Sequence, residues 1–122
     1  MNLVPLARGD IVLAAFPYAD LSLQKRRPAL MLNENTDLGD VILAFISSQI
    51  PASPPPSSLL LASSEPEFQQ TGLKIDSVIR LDKIATIERY LITRRLGRLP
   101  DSKREEMENA WAYALRISIH RS

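Results

Sequence analysis

Residues 11 to 16 read Ile-Val-Leu-Ala-Ala-Phe, an apolar run introduced by Arg8-Gly9-Asp10 as a turn and stopped by Pro17. A run this short, bounded by turn residues, predicts a strand. A polar loop follows, carrying Asp20, Ser22, Gln24 and the triplet Lys25-Arg26-Arg27, and Pro28 then opens a second strand, because a first position needs no ladder donor. The span from Asp40 to Gln49, DVILAFISSQ, is apolar on both alternating sets through Ile46 and predicts a strand buried on both faces. Its polar end, Ser47-Ser48-Gln49, emerges from that core.

The pattern then breaks at Pro51 to Ser58, PASPPPSS, which lacks donors at most positions and favours extended polyproline geometry. It is too short to link domains and reads as a stiff, exposed loop within one. Leu59 to Ala62 is expected as a short strand, Glu65 to Gln70 as a polar connection, Thr71-Gly72 as a turn, and Ser77 to Leu81 or slightly beyond as another strand. After Ser102 the period changes. Ser102 with Glu105 three residues later forms a capping-box signature, and Met107, Ala110, Trp111, Ala114 and Leu115 recur as one apolar stripe. Trp111 reads as a core or interface anchor. Five or so strands and one substantial C-terminal helix predict a mainly β fold, a small open or closed barrel.

Length and composition fit that picture. A chain of 122 residues, 45% hydrophobic and 24% charged, is expected to fold as a single domain over 1–122. No run approaches the roughly 20 apolar residues of a membrane span. Met1 to Asp10 has no apolar h-region or small-residue cleavage site, so a cytoplasmic location is expected. The chain has no cysteine, so neither a disulfide framework nor a thiolate metal site is available.

Net charge is only +1, yet the distribution is uneven. Between residues 74 and 98, Lys74, Arg80, Lys83, Arg89, Arg94, Arg95 and Arg98 face only Asp76, Asp82 and Glu88. Phosphate contacts need such local patches rather than a large total charge. The same arginines could equally pair with the acidic helix residues Asp101, Glu105, Glu106 and Glu108. The Lys25–Arg27 cluster is likewise open to two readings, an anion-binding loop or plain solvation and edge protection.

The inventory excludes several chemistries. There is one histidine, His120, close to the C-terminus, and no carboxylate cluster at ligand spacing, so no metal site and no cofactor are expected. Phosphate-cradling glycine loops and a nucleophile elbow are absent from the sequence. What remains is Arg80-Leu81-Asp82. In a strand, residues two apart share a face at roughly 6.6 Å, so Arg80 and Asp82 stand together with Ile79 and Leu81 opposite. That pair is either a local ion pair of little energetic weight or a phosphate-binding guanidinium beside a proton-transferring carboxylate.

Four blocks, RGDIVLAAFPYADLSLQKRRPALML, VILAFISSQ, TGLKIDSVIRLDKIATI and GRLPDSKREEMENAW, follow one another in an order that resembles the PemK/MazF family of toxins from type II toxin–antitoxin systems. The resemblance covers nearly the whole chain. It implies an SH3-like barrel of the PemK/MazF/CcdB type with a C-terminal α-helix, a homodimer, and a metal-independent, sequence-selective endoribonuclease (an mRNA interferase) that inhibits growth until a cognate antitoxin neutralises it. Single-stranded RNA is the implied substrate.

The resemblance also implies site residues. The arginine of the family's R-P block falls on Arg27, the hydroxyl residue ending its central strand on Ser47, where many members have threonine, and the R-x-D pair of the PemK branch on Arg80 and Asp82. These four are the expected catalytic residues. Gln24, Lys25, Arg26, Ser48 and Gln49 are the expected RNA-binding residues around them, with Lys25 and Arg26 as solvated, steering charges. The histidine that the PemK branch carries in its first loop has no counterpart here, and Pro51 to Ser58 is unusual for the family, where it bears on substrate choice or antitoxin contact. Two rivals carry different expectations. A CcdB-like gyrase poison would end in Trp-Gly-Ile, whereas this sequence ends Ile119-His120-Arg121-Ser122. A non-catalytic SH3-like binding module, or degenerate toxin, would not arrest growth.

Overall fold

A computed structural model describes residues 5–15, 25–34 and 39–118. Its framework is six antiparallel strands, β1 (Asp10–Ala15), β2 (Arg26–Met31), β3 (Val41–Ser47), β4 (Ser58–Leu61), β5 (Ser77–Ile87) and β6 (Ile92–Arg98), followed by helix α1 (Arg104–Leu115). They form one sheet in the order β4-β5-β3-β2-β1-β6. The mainly β architecture with a C-terminal helix is therefore as the alternation predicts.

β3 is the double-buried strand. Ala44 and Ile46 join Ile11, Leu30, Leu59, Leu61, Ile79 and Leu81 in one core, which α1 covers through Met107 and Ala110, with Trp111 and Ala114 packed against it. Leu43 and Phe45 belong to a second core with Val12, Ala14, Ala29, Met31, Ala85, Ile87 and Ile92 on the opposite face. Both alternating sets of β3 thus leave water, as a continuous apolar run requires.

Close backbone packing holds the connection between β4 and β5 against the edge strand β6. A 3-10 turn at Phe68–Thr71, inside the span read as a polar connection, buries Phe68 and Thr71 and lies against β6. Gly72 ends that turn at φ 72, and a Cβ there would fall 2.0 Å from the Leu96 carbonyl oxygen. At Gly97 a Cβ would fall 2.2 Å from the Gln70 carbonyl oxygen. Only two facing glycines let these backbones approach so closely.

Three local expectations are corrected. β2 begins at Arg26, with Pro28 inside it, ahead of Ala29 where pairing with β3 begins, so no β2–β3 ladder bond is lost. The capping box does not form: α1 starts at Arg104 without a side-chain cap, and the Ser102 hydroxyl donates to Glu67 at 2.6 Å instead. Ser102 lies in a preceding 3-10 turn, Asp101–Lys103, which Lys103 ties down by an ion pair with Glu65 at 2.9 Å. Finally, Leu115 of the expected apolar stripe is exposed, whereas Ala112, which is off that stripe, is buried. No helix among the described residues is long and apolar enough to cross a membrane.

Candidate functional site

Strand register assembles the candidate site around Phe45. Phe45 pairs with Ala29 of β2 on one side and with Arg80 of β5 on the other, and paired residues share a sheet face. Arg27 lies two residues beyond Ala29 and Ser47 two beyond Phe45, toward the same end of the sheet. Arg27, Ser47 and Arg80 therefore share one face, with the Arg27 and Arg80 backbones roughly 12 Å apart from standard strand spacing.

Arg80 and Asp82 meet directly. The guanidinium donates through Nε to one carboxylate oxygen at 3.2 Å and through a terminal nitrogen to the other at 2.9 Å. Both side chains remain open to solvent, at 45% and 42% exposure, while Leu81 between them is fully buried. The apolar residue anchors the strand and the polar pair stands clear of it. The bond to Arg80 is the main reason that the Asp82 carboxyl is held below its usual range; partial burial opposes this, and the charges of Arg80 and Lys83 assist. The same bond pushes the Arg80 guanidinium further up. Asp82 is therefore ionised at neutral pH, a proton acceptor rather than a donor.

A break in register shapes this corner. Ala44 pairs with Ile84 but its neighbour Phe45 pairs with Arg80, so Leu81, Asp82 and Lys83 have no partners on β3. The displaced Leu81 N–H instead donates to the Ser57 carbonyl at 3.0 Å, and Ser58 at the start of β4 pairs with Arg80. The end of the proline-serine loop is thus built into the site's border: residues 51–56 are exposed as expected, whereas Ser57 is buried and Ser58 half-buried, because they join the strands.

The other expected residues fall nearby or outside the description. Arg26 and Arg27 are exposed and pair with Ala15 and Ala14, Lys25 is exposed just before them, and Ser48 and Gln49 are exposed beyond β3. The Ser47 hydroxyl oxygen accepts the Gln49 N–H at 3.0 Å, which fixes its orientation. Gln24, with Asp20 and Ser22, lies outside the described residues, as does His120. Among the described residues no group of three or more His, Cys, Asp or Glu side chains is placed to hold a metal ion.

Lys83 is the neighbour that sequence reasoning missed. Strict alternation sets it on the face of Leu81, but the register break turns it over the Phe45 ring, with Nζ 4.7 Å from the ring centroid. No pattern in the sequence marks that break.

The remaining arginines divide. Arg98 and Arg95 of β6 reach the Asp10 carboxylate at 3.1 and 3.3 Å, and the Ala7 N–H donates to its other oxygen at 2.9 Å. Asp10 is buried, so this is a structural clamp joining the edge strand to the first turn.

A family model described as a PemK-like, MazF-like toxin of type II toxin–antitoxin systems matches residues 7–115. The fold is similar to that of a MazE–MazF complex from Deinococcus radiodurans, at a TM-score of 0.71 and 21% identity over 94% of this chain and 99% of that one. It is also similar to the Mycobacterium tuberculosis toxin MazF-mt6, at a TM-score of 0.68 and 21% identity over 90% and 99% of the two chains. A mycobacterial endoribonuclease in complex with its cognate antitoxin gives a TM-score of 0.68 at 17% identity, over 94% and 99%. At these identities the likeness concerns the fold. No curated protein sequence matches.

Proposed function

The chain belongs to the PemK-like, MazF-like toxin family of type II toxin–antitoxin systems, and from that premise we propose that it is an endoribonuclease cutting single-stranded RNA without a metal ion. The observation that carries this reading is the bidentate Arg80–Asp82 pair, half open to solvent, on the sheet face that Arg27 and Ser47 also share. Solved neighbours named as endoribonucleases and as toxin–antitoxin complexes support it.

Metal-free RNA cleavage uses the ribose 2′-OH as an internal nucleophile. The 2′ oxygen bonds to phosphorus as its proton passes to a base, and the bond from phosphorus to the 5′ oxygen breaks as that oxygen takes a proton from solvent. The products are a cyclic phosphate and a 5′-OH. In this scheme ionised Asp82 is the base, and the bond from Arg80 aims it. Arg27, with the Arg80 nitrogen not committed to Asp82, neutralises the charge that grows on the phosphorane, and Ser47 donates a hydrogen bond to it. Arg80 stays protonated throughout, so its contribution is electrostatic. Lys25, Arg26, Ser48 and Gln49 line the approach on the exposed ends of β2 and β3, with Gln24 beside them in sequence. Unpaired bases are accessible to such a shallow face, which favours single-stranded substrate.

The further family traits belong to the same proposal. The chain acts as one toxin domain over 1–122, pairs with a second copy, is neutralised by a cognate antitoxin, and works in the cytoplasm. Purified protein incubated with a long unstructured RNA in EDTA yields discrete cuts ending in cyclic phosphate, and Arg27→Ala or Arg80→Ala slows them by at least about 10²-fold. Intact RNA across a broad set of sequences, together with no growth arrest on induction without antitoxin, would overturn the nuclease in favour of a binding module.

A further inference from the structure

We propose that Lys83 is a phosphate-contacting residue of this site, a cation that the register break of β5 delivers between Arg80 and Arg27; the inference rests on the nuclease reading above. Three observations carry it. The three-residue offset between the pairs Ala44–Ile84 and Phe45–Arg80 moves Lys83 from the face of Leu81 to the face that carries Arg80. Its ammonium lies 4.7 Å over the ring of Phe45, the residue paired on either side with Ala29 and Arg80, and so stands above the strand that separates the two arginines. Its charge is also one of the influences holding Asp82 ionised.

The need for such a cation follows from how Arg80 is used. Its Nε and one terminal nitrogen are committed to Asp82, which leaves less of the guanidinium fork for a ligand. Lys83 has no such commitment in its contact with Phe45. An aromatic face attracts the ammonium without accepting its N–H donors in fixed directions, so all three can turn to phosphate oxygens. A lysine resting on a buried ring is also restrained before RNA arrives, which lowers the ordering cost of the contact. Phe45 is only 9% exposed and belongs to the second core, so the platform itself does not move with the ligand.

Charge on the non-bridging oxygens rises as the 2′ oxygen adds to phosphorus. A contact to those oxygens strengthens in the transition state, so its loss falls on the cleavage step more than on binding. Lys83 moves no proton in this account.

The test compares wild type, Lys83→Ala and Lys83→Arg in single-turnover cleavage of a long unstructured RNA in EDTA. Affinity is read on the same RNA made with 2′-O-methyl groups, and folding by thermal melting. Lys83→Ala is expected to slow cleavage at saturating RNA by about 10- to 100-fold, to weaken binding by less than about tenfold, and to melt within a few degrees of wild type. Lys83→Arg restores most of the rate. Cleavage by Lys83→Ala at the wild-type rate overturns the proposal while leaving the nuclease reading intact. A loss that Lys83→Arg does not restore, accompanied by a lowered melting temperature, assigns the effect to packing on Phe45 and also overturns it. Failure of wild type itself to cut RNA overturns the nuclease reading, and this inference with it.

Discussion

Two acid–arginine centres sit on this sheet, and their environments give them opposite characters. Asp10 is buried under Arg95 and Arg98 and takes a backbone N–H on its second oxygen, so its capacity to accept is spent on the fold. Arg80 and Asp82 hold each other just as tightly by distance, yet nearly half of each side chain faces water. The same chemical pairing is a clamp at one place and a receptive surface at the other. Burial and the free sides of the groups decide which, and the pairing distance does not.

The largest expected effect breaks the exposed pair. Arg80→Ala or Asp82→Ala should lower RNA cleavage about 10²- to 10⁴-fold, read in single-turnover assays, with the circular dichroism of the folded protein unchanged. If both variants cut like wild type, the exposed pair is an ornament of the surface and the contrast with Asp10 disappears.

Next comes the buried pair. Asp10→Ala strands two arginines and the Ala7 N–H, and is expected to cost about 2–4 kcal/mol in urea unfolding, somewhat less than a fully enclosed pair because the arginines are partly solvated. Cleavage per folded molecule should stay within about threefold of wild type. A stability loss near zero would sink the assignment of Asp10 as the clamp.

Acidity probes the exposed centre more gently. Asp82, Glu65 and Asp76 all have carboxyls held below their ordinary values, chiefly by bonds from Arg80, Lys103 and Ser63 respectively. A depressed folded-state value means stability that is fully present above the unfolded values, near 3.8 for aspartate and 4.5 for glutamate, and is lost as pH falls through the lower folded ones. Asp82 should therefore impose no acid limb on the cleavage profile between pH 5 and 8. A limb with an apparent midpoint above 5 would show that Asp82 is not held ionised.

The smallest effect completes the contrast. Asp82→Ala should change unfolding stability by only about 0–1 kcal/mol, and less in high salt, because an exposed pair is screened and already solvated. A loss as large as that of Asp10→Ala would make the two centres equivalent.

The legible parts of the molecule were those where one side-chain pattern forces one structure. The continuous apolar run through Ile46 pointed to a doubly buried strand, and the alternation at Arg80-Leu81-Asp82 indicated which residues share a face before any partner was known. β6 was missed because Ile92-Thr93-Arg94-Arg95-Leu96-Gly97-Arg98 carries polar residues where strand alternation wants apolar ones; it is an edge strand held by β1 and by the Asp10 clamp. Ser102 satisfied a capping pattern but found Glu67, a residue 35 positions earlier, which no local rule can foresee. Lys83 was hidden for the same reason, since its face depends on how β3 and β5 slip past each other. Local patterns describe strands, and long-range register builds sites.

One tie has an evolutionary meaning. The Leu81 N–H bonds the Ser57 carbonyl, and the Ser58 N–H bonds that of Pro55 at 3.0 Å, so the last residues of the proline-serine loop are stitched to the strand that carries Arg80 and Asp82. The exposed stretch from Pro51 to Pro54 lies upstream of those stitches. Changes of length or charge there lie outside the stitched residues and leave Arg80 and Asp82 where the strand holds them. The loop can vary on the far side of an anchor that keeps the candidate site in place.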